Sequence, residues 1–233
     1  MNSNFIKGIR DGIPICLGYL SVSFGFGILA TGLGLSILTA VGISLTNLTS
    51  AGQVAGVGII AAGGSFIEMA LTQFIINLRY SLMGISLSQK LDKDFSVFHR
   101  MVASFGITDE IFAVAVAQKS VSPYYMYGLT VISALGWVSG TFLGAFAGNI
   151  LPVSVSSALG IVLYGMFLAI IIPPAKENKG VLIAVLISAA LSIVFKYLLS
   201  FISGGFAIII CAVISAAVCA LLFPKKDEEE DAE

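Results

Sequence analysis

The sequence predicts an all-α integral membrane protein, a polytopic helical bundle of about seven to eight spans. Three observations carry this. Apolar runs of about 20 residues recur along nearly the whole chain, the length needed to cross a bilayer. Only 11% of the 233 residues are charged, where soluble domains carry about 25%. The hydrophobic fraction is 58% and the mean hydropathy is +1.02. Residues 1–224 read as a single transmembrane domain. Residues 225–233 read as an acidic, solvated tail, because like-charge blocks do not pack.

The expected spans are about 13–33, 35–62, 66–88, 101–118, 124–148, 155–173, 180–200 and 204–223. The first run follows Lys7 and Arg10, as a signal peptide would, but it is longer than a typical signal core and is read as a retained span. The second is too long for one untilted crossing and is polar at its centre, at Asn47, Thr49, Ser50, Gly52 and Gln53. Two readings stay open: a tilted helix, or two half-helices meeting at a break near 47–53, possible as a re-entrant segment. A single crossing with the N-terminus inside puts Lys7, Arg10, Lys119, Lys176, Lys179, Lys225 and Lys226 in the cytoplasm, against Lys90, Lys93 and Arg100 outside. That bias follows the positive-inside rule. A segment that turned back would give five against five on the same span list, so the charges favour eight spans, with the Lys90–Arg100 cluster awkward.

Composition excludes several functions. The net charge of −1 does not suit nucleic-acid binding. The chain has no phosphate-loop motif and too little polar sequence for a soluble catalytic domain. Cys16, Cys211 and Cys219 lie in apolar runs without metal or redox spacing, and His99 stands alone, so no metal or cofactor is expected. The 25 glycines, Gly140, Gly144 and Gly148 among them, are read as helix-packing residues.

The candidate functional residues are polar groups inside apolar stretches. Asp109 and Glu110 lie in one such stretch, where each carboxyl costs at least about 2.5 kcal/mol to insert. Arg79 is isolated in another. It binds carboxylates through a planar fork and can pair with a substrate, with Asp109 or with Glu110. Asn77 shares a helical face with Gln73 and Tyr80. Glu68, nearer the membrane edge, is read as interfacial. On a helix Asp109 and Glu110 point about 100° apart, so one can pair while the other titrates. Thr108 followed by two acids also reads as a helix start with Thr108 as N-cap and Gly106 at a break.

In order along the chain, Gly12-Ile13-Pro14, Phe24-Gly25, Ser50-Ala51-Gly52-Gln53, Asn77-Leu78-Arg79-Tyr80 and Thr108-Asp109-Glu110 resemble the AzlC family of branched-chain amino acid exporters. Gly165-Met166-Phe167-Leu168-Ala169 and Pro173 fit more loosely. The resemblance spans about 10–225. It implies export of leucine, isoleucine and valine across the cytoplasmic membrane, driven by an ion gradient, with a small membrane partner of the AzlD type. Two departures stand out: Tyr80 replaces a common histidine, and Leu48-Thr49-Ser50-Ala51-Gly52 replaces a common Phe-Ala-Gly.

The expected site therefore joins Phe24, Asn47, Ser50, Gly52, Gln53, Asn77, Arg79 and Tyr80 for substrate with Thr108, Asp109 and Glu110 for ion or proton coupling. Phe24 is expected to meet the aliphatic side chain. The rival readings are a non-transporting assembly subunit and an integral-membrane enzyme using Asp109 and Glu110 as acid and base.

Overall fold

The computed structural model describes residues 3–148, 150 and 152–224; the tail from 225 lies outside them. The described residues are helical, in ten helices: α1 (Ser3–Gly32), α2 (Ile37–Thr46), α3 (Ser50–Ala61), α4 (Phe66–Ser88), α5 (Val97–Ser104), α6 (Asp109–Val116), α7 (Pro123–Gly148), α8 (Val153–Glu177), α9 (Lys179–Tyr197) and α10 (Gly204–Leu222). Four of these, α1, α7, α9 and α10, are long and apolar enough to cross a membrane by length and composition alone. The membrane bundle expected from the sequence is thus the observed class.

The bundle is built on α1 and α7, which run parallel. An added Cβ at Gly128, Gly136, Gly140 or Gly144 of α7 would strike the α1 backbone at Phe5, Cys16, Leu20 or Phe24. Small residues at this seam let the two backbones touch, as membrane helices require when no hydrophobic force separates lipid from protein. Gly32 and Gly165 meet nothing and serve no such contact.

Because α1 and α7 are parallel, they define two ends of the bundle. Lys7 of α1 donates to Gln118 just before α7, 2.6 Å away. Backbone bonds join Lys90 and Asp92, after α4, to Val121. The start of α1, the end of α4 and the start of α7 therefore share one end, here the N-terminal end. The other end holds the close of α1 and α7 and the start of α4, where Glu68 meets the start of α10.

This arrangement fixes the course of the short helices. The α2–α3 pair leaves α1 and reaches α4 at the same far end, so it enters the bundle and turns back. The α5–α6 pair lies between the bridged loops at 90–92 and 121, so it enters from the N-terminal end and returns there. Among the described residues α2–α3 and α5–α6 thus form two hairpins, each returning to the end it left, beside the four helices long and apolar enough to cross. The single crossing favoured for 35–62 on charge grounds does not occur, while the alternative of two half-helices does. Breaks fall at residues 47–49 and 105–108. A span followed by a hairpin thus occurs twice with opposite direction, in α1–α3 and in α4–α6, the inverted arrangement found in many transporters.

Candidate functional site

Each hairpin tip closes its own backbone. A broken helix inside a membrane must satisfy its freed groups from within the protein. At the first tip Asn47 Oδ1 accepts from the N–H and the hydroxyl of Thr49, at 2.9 and 2.7 Å. At the second, Thr108 caps α6, its hydroxyl accepting from Ile111 N–H at 3.3 Å. The expected helix start at Thr108 and the break at Gly106 are both present.

The two tips approach the middle of α4. Gln73 of α4 donates to the Gly52 carbonyl in the first turn of α3, at 2.7 Å, and Asn77 donates to Gln73 at 3.4 Å. Six residues further along α4, about 9 Å, Arg79 Nη1 lies 2.8 Å from Asp109 Oδ2 in the first turn of α6. Arg79 also donates to the Tyr80 hydroxyl at 3.2 Å and lies over its ring. Tyr80 thus joins Arg79 rather than the Gln73–Asn77 face.

Asp109 and Glu110 diverge, as their helical spacing requires. Glu110 accepts instead from Tyr19 of α1, at 2.6 Å, and the Tyr19 hydroxyl also lies 2.5 Å from Thr108 Oγ1. The Tyr19 ring meets Trp137 of α7 edge to face, with centroids 5.1 Å apart. The second tip is therefore held from two sides, by an ion pair to α4 and by a hydroxyl on the α1–α7 core. Tyr19 was not foreseen: one tyrosine in an apolar helix carries no signal, and its partners lie about 90 residues away.

The first tip is anchored by Gln53, which is buried. Its amide donates to Ser44 at 3.0 Å, and Ser44 pairs with Thr141 of α7 at 2.7 Å. Gln53 Oε1 and Asn77 Oδ1 are buried acceptors without a hydrogen-bond partner among the described residues. A cavity of about 210 Å³ between α2, α3 and α4 is lined by Gln53, while Asn77 lies outside its lining. Its polar lining includes Asn47, Gln53 and Gln73; its apolar lining includes Ile43, Val57 and Met69. Ser50 caps no helix here but opens the first turn of α3, next to Gly52, where an added Cβ would strike Thr49 and Gln73.

Not every expected residue converges on this cavity. Phe24 does not line it, and its backbone lies against Gly144 of α7. Glu68, read as interfacial, is buried: Ser203 and the Gly205 N–H donate to one of its oxygens at 2.6 and 2.9 Å. The carboxylate receives the N-terminus of α10, a favourable place for a negative charge, and so ties α10 to α4. Among the described residues no group of three or more His, Cys, Asp or Glu could hold a metal ion.

The described residues thus form a helical membrane bundle with two broken segments, one tip bonded to α4 at Gln73 and the other by the Arg79–Asp109 ion pair. The sequence pattern of the AzlC protein family matches residues 14–151, and the chain belongs to that family. It is similar to the inner membrane protein YgaZ of Escherichia coli, strain K12, 30% identical over 97% of this chain and 95% of that protein. It is also 34% identical to an uncharacterised membrane protein of Archaeoglobus fulgidus, over 74% of this chain and 76% of that one. The Bacillus subtilis protein named branched-chain amino acid transport protein AzlC is 23% identical, over 72% of this chain and 66% of its own length. No solved structure matches significantly.

Proposed function

We propose that the chain is a secondary transporter that exports branched-chain amino acids across the cytoplasmic membrane, and not an enzyme. The observation that carries this reading is the cavity between α2, α3 and α4, with the Arg79–Asp109 pair about 9 Å further along α4. Its aliphatic side suits a leucine, isoleucine or valine side chain. Its unpartnered Gln53 oxygen suits an ammonium group. The name of the Bacillus relative points to the same substrates.

Arg79 is already paired with Asp109, so a substrate carboxylate reaches the guanidinium only by displacing that partner. Substrate and Asp109 would then compete for one cation. Such competition couples substrate movement to the charge on Asp109, and a proton is the simplest ligand that neutralises a carboxylate. Glu110, held by Tyr19, keeps the tip in register during this exchange.

The re-entrant hairpins also strengthen the orientation. Lys7, Arg10, Lys90, Lys93, Arg100, Lys119, Lys176 and Lys179 all belong to the N-terminal end, against Lys196 at the other. Eight against one supports a cytoplasmic N-terminal end under the positive-inside rule. Export then runs from that end toward the start of α4. A small membrane subunit of the AzlD type is proposed as partner.

The test is efflux from cells loaded with leucine-containing dipeptides. Cells expressing the chain, with the proposed partner, should release leucine faster than cells without it. Equal release would sink the export reading.

A further inference from the structure

A second cavity, of about 200 Å³, lies between α4 and α5 near the N-terminal end of the bundle. On α4 it is lined by Gly84, Leu87 and Ser88, and its far wall includes Phe95, Arg100 and Ile107. The first cavity touches α4 at Met69 and Gln73. The two therefore lie on the two halves of one helix, with Arg79 between them. Gln73 to Gly84 is eleven residues, about 16 Å, with Arg79 near the midpoint.

Arg100 is the charged group of this second cavity. Its Nε donates weakly to the Phe95 carbonyl at 3.4 Å. It forms no ion pair among the described residues, although Asp92 and Asp94 are close in sequence. The two serines on the wall, Ser88 and Ser104, turn their hydroxyls back to Ile85 and Met101 carbonyls of their own helices, at 2.6 and 2.7 Å. The cavity thus presents an apolar wall and one unpaired guanidinium. Ligand sites have this composition: mostly apolar lining with few polar groups that fix orientation. A planar fork of donors matches a carboxylate.

Ile107 connects this cavity to the site already described, since it directly precedes Thr108 and Asp109. Gly84 faces Ile107 across open space, and an added Cβ would meet only its Cδ1, at 3.9 Å.

We propose that the α4–α5 cavity is a separate receiving site for an aliphatic amino acid, with Arg100 binding its carboxylate and Leu87, Phe95 and Ile107 contacting its side chain. It rests on the export reading above. Substrate occupies this site first from the N-terminal face, then passes the Arg79–Asp109 pair to the cavity at Gln53 and Gln73. The two sites work in series, one against each hairpin.

The experiment uses the full chain in vesicles of known orientation, with leucine supplied at either face. Arg100→Gln removes the fork, and Gly84→Leu adds bulk to the cavity wall where the Cβ meets only Ile107 Cδ1. Each should raise the half-saturating leucine concentration at the N-terminal face about tenfold, as expected for a lost charge-assisted contact. The half-saturating concentration at the opposite face should stay unchanged. Leucinamide, which lacks the carboxylate, separates ligand binding from simple interfacial anchoring of Arg100. The wild-type chain should prefer leucine to leucinamide at the N-terminal face, and Arg100→Gln should lose most of that preference. Unchanged constants at the N-terminal face in both variants would overturn the receiving site while leaving export standing. A wild-type chain that moves no aliphatic amino acid would overturn the export reading, and this site with it.

Discussion

Arg79 Nη1 and Asp109 Oδ2 lie 2.8 Å apart, joining the middle of α4 to the first turn of α6. The contact links a span to the tip of a hairpin that entered from the opposite end. It is also partly open, with side-chain exposures of 40% and 32%, so it is accessible to exchange. An ion pair in that setting contributes modestly to stability, and it is expensive to leave half-made.

The pair should therefore show coupling. Arg79→Gln and Asp109→Asn should each lower leucine efflux at least about tenfold. For apparent stability in detergent, the double variant should be less harmed than the sum of the singles, by about 1 kcal/mol. A double-mutant cycle of thermal unfolding measures this. Strict additivity would show that the two groups do not interact.

Tyr19 holds the same tip through Glu110 and Thr108. Tyr19→Phe keeps the ring against Trp137 and removes only the hydroxyl. The expected loss is about 1 kcal/mol, a fall of about 2–4 °C in apparent Tm for a chain of this size. A greater slowing of efflux than Glu110→Gln produces would be contrary to the positioning role given to Tyr19.

The α1–α7 seam predicts a sharp contrast between glycines. Gly144→Leu drives a side chain into the Phe24 backbone and should destabilise by about 3 kcal/mol or more. Gly32→Ala meets open space and should be neutral. The yield of monodisperse protein on size exclusion compares the two. Similar behaviour would contradict the close parallel packing.

The cavity beside Gln53 predicts a change in selectivity. Met69 supplies part of its apolar wall. Met69→Ala should favour bulkier substrates, raising phenylalanine relative to leucine about tenfold in competition, the scale on which an apolar pocket separates side chains. An unaltered ratio would place the substrate elsewhere.

The parts legible from sequence were those that violate the composition of their surroundings. Asp109, Glu110 and Arg79 stand out because a charge in an apolar run needs a reason, and the break at 47–49 showed through its polar cluster. The direction of the hairpins was not legible. Hydropathy records that a segment is embedded but not whether it returns, so the charge count misdirected the reading of 35–62. The Lys90–Arg100 cluster, awkward for that reading, was the clue, since a returning α5–α6 pair puts it beside Lys119. Glu68 was misread because its partners, Ser203 and Gly205, lie more than 130 residues away.

Purified chain, alone and with the proposed partner, in leucine-loaded vesicles tests the central claim most directly. Wild-type protein should release labelled leucine, faster when a proton gradient is imposed, and Asp109→Asn should abolish the response to the gradient. Release by wild type and Asp109→Asn at the same rate, with the same response to the gradient, would contradict the account.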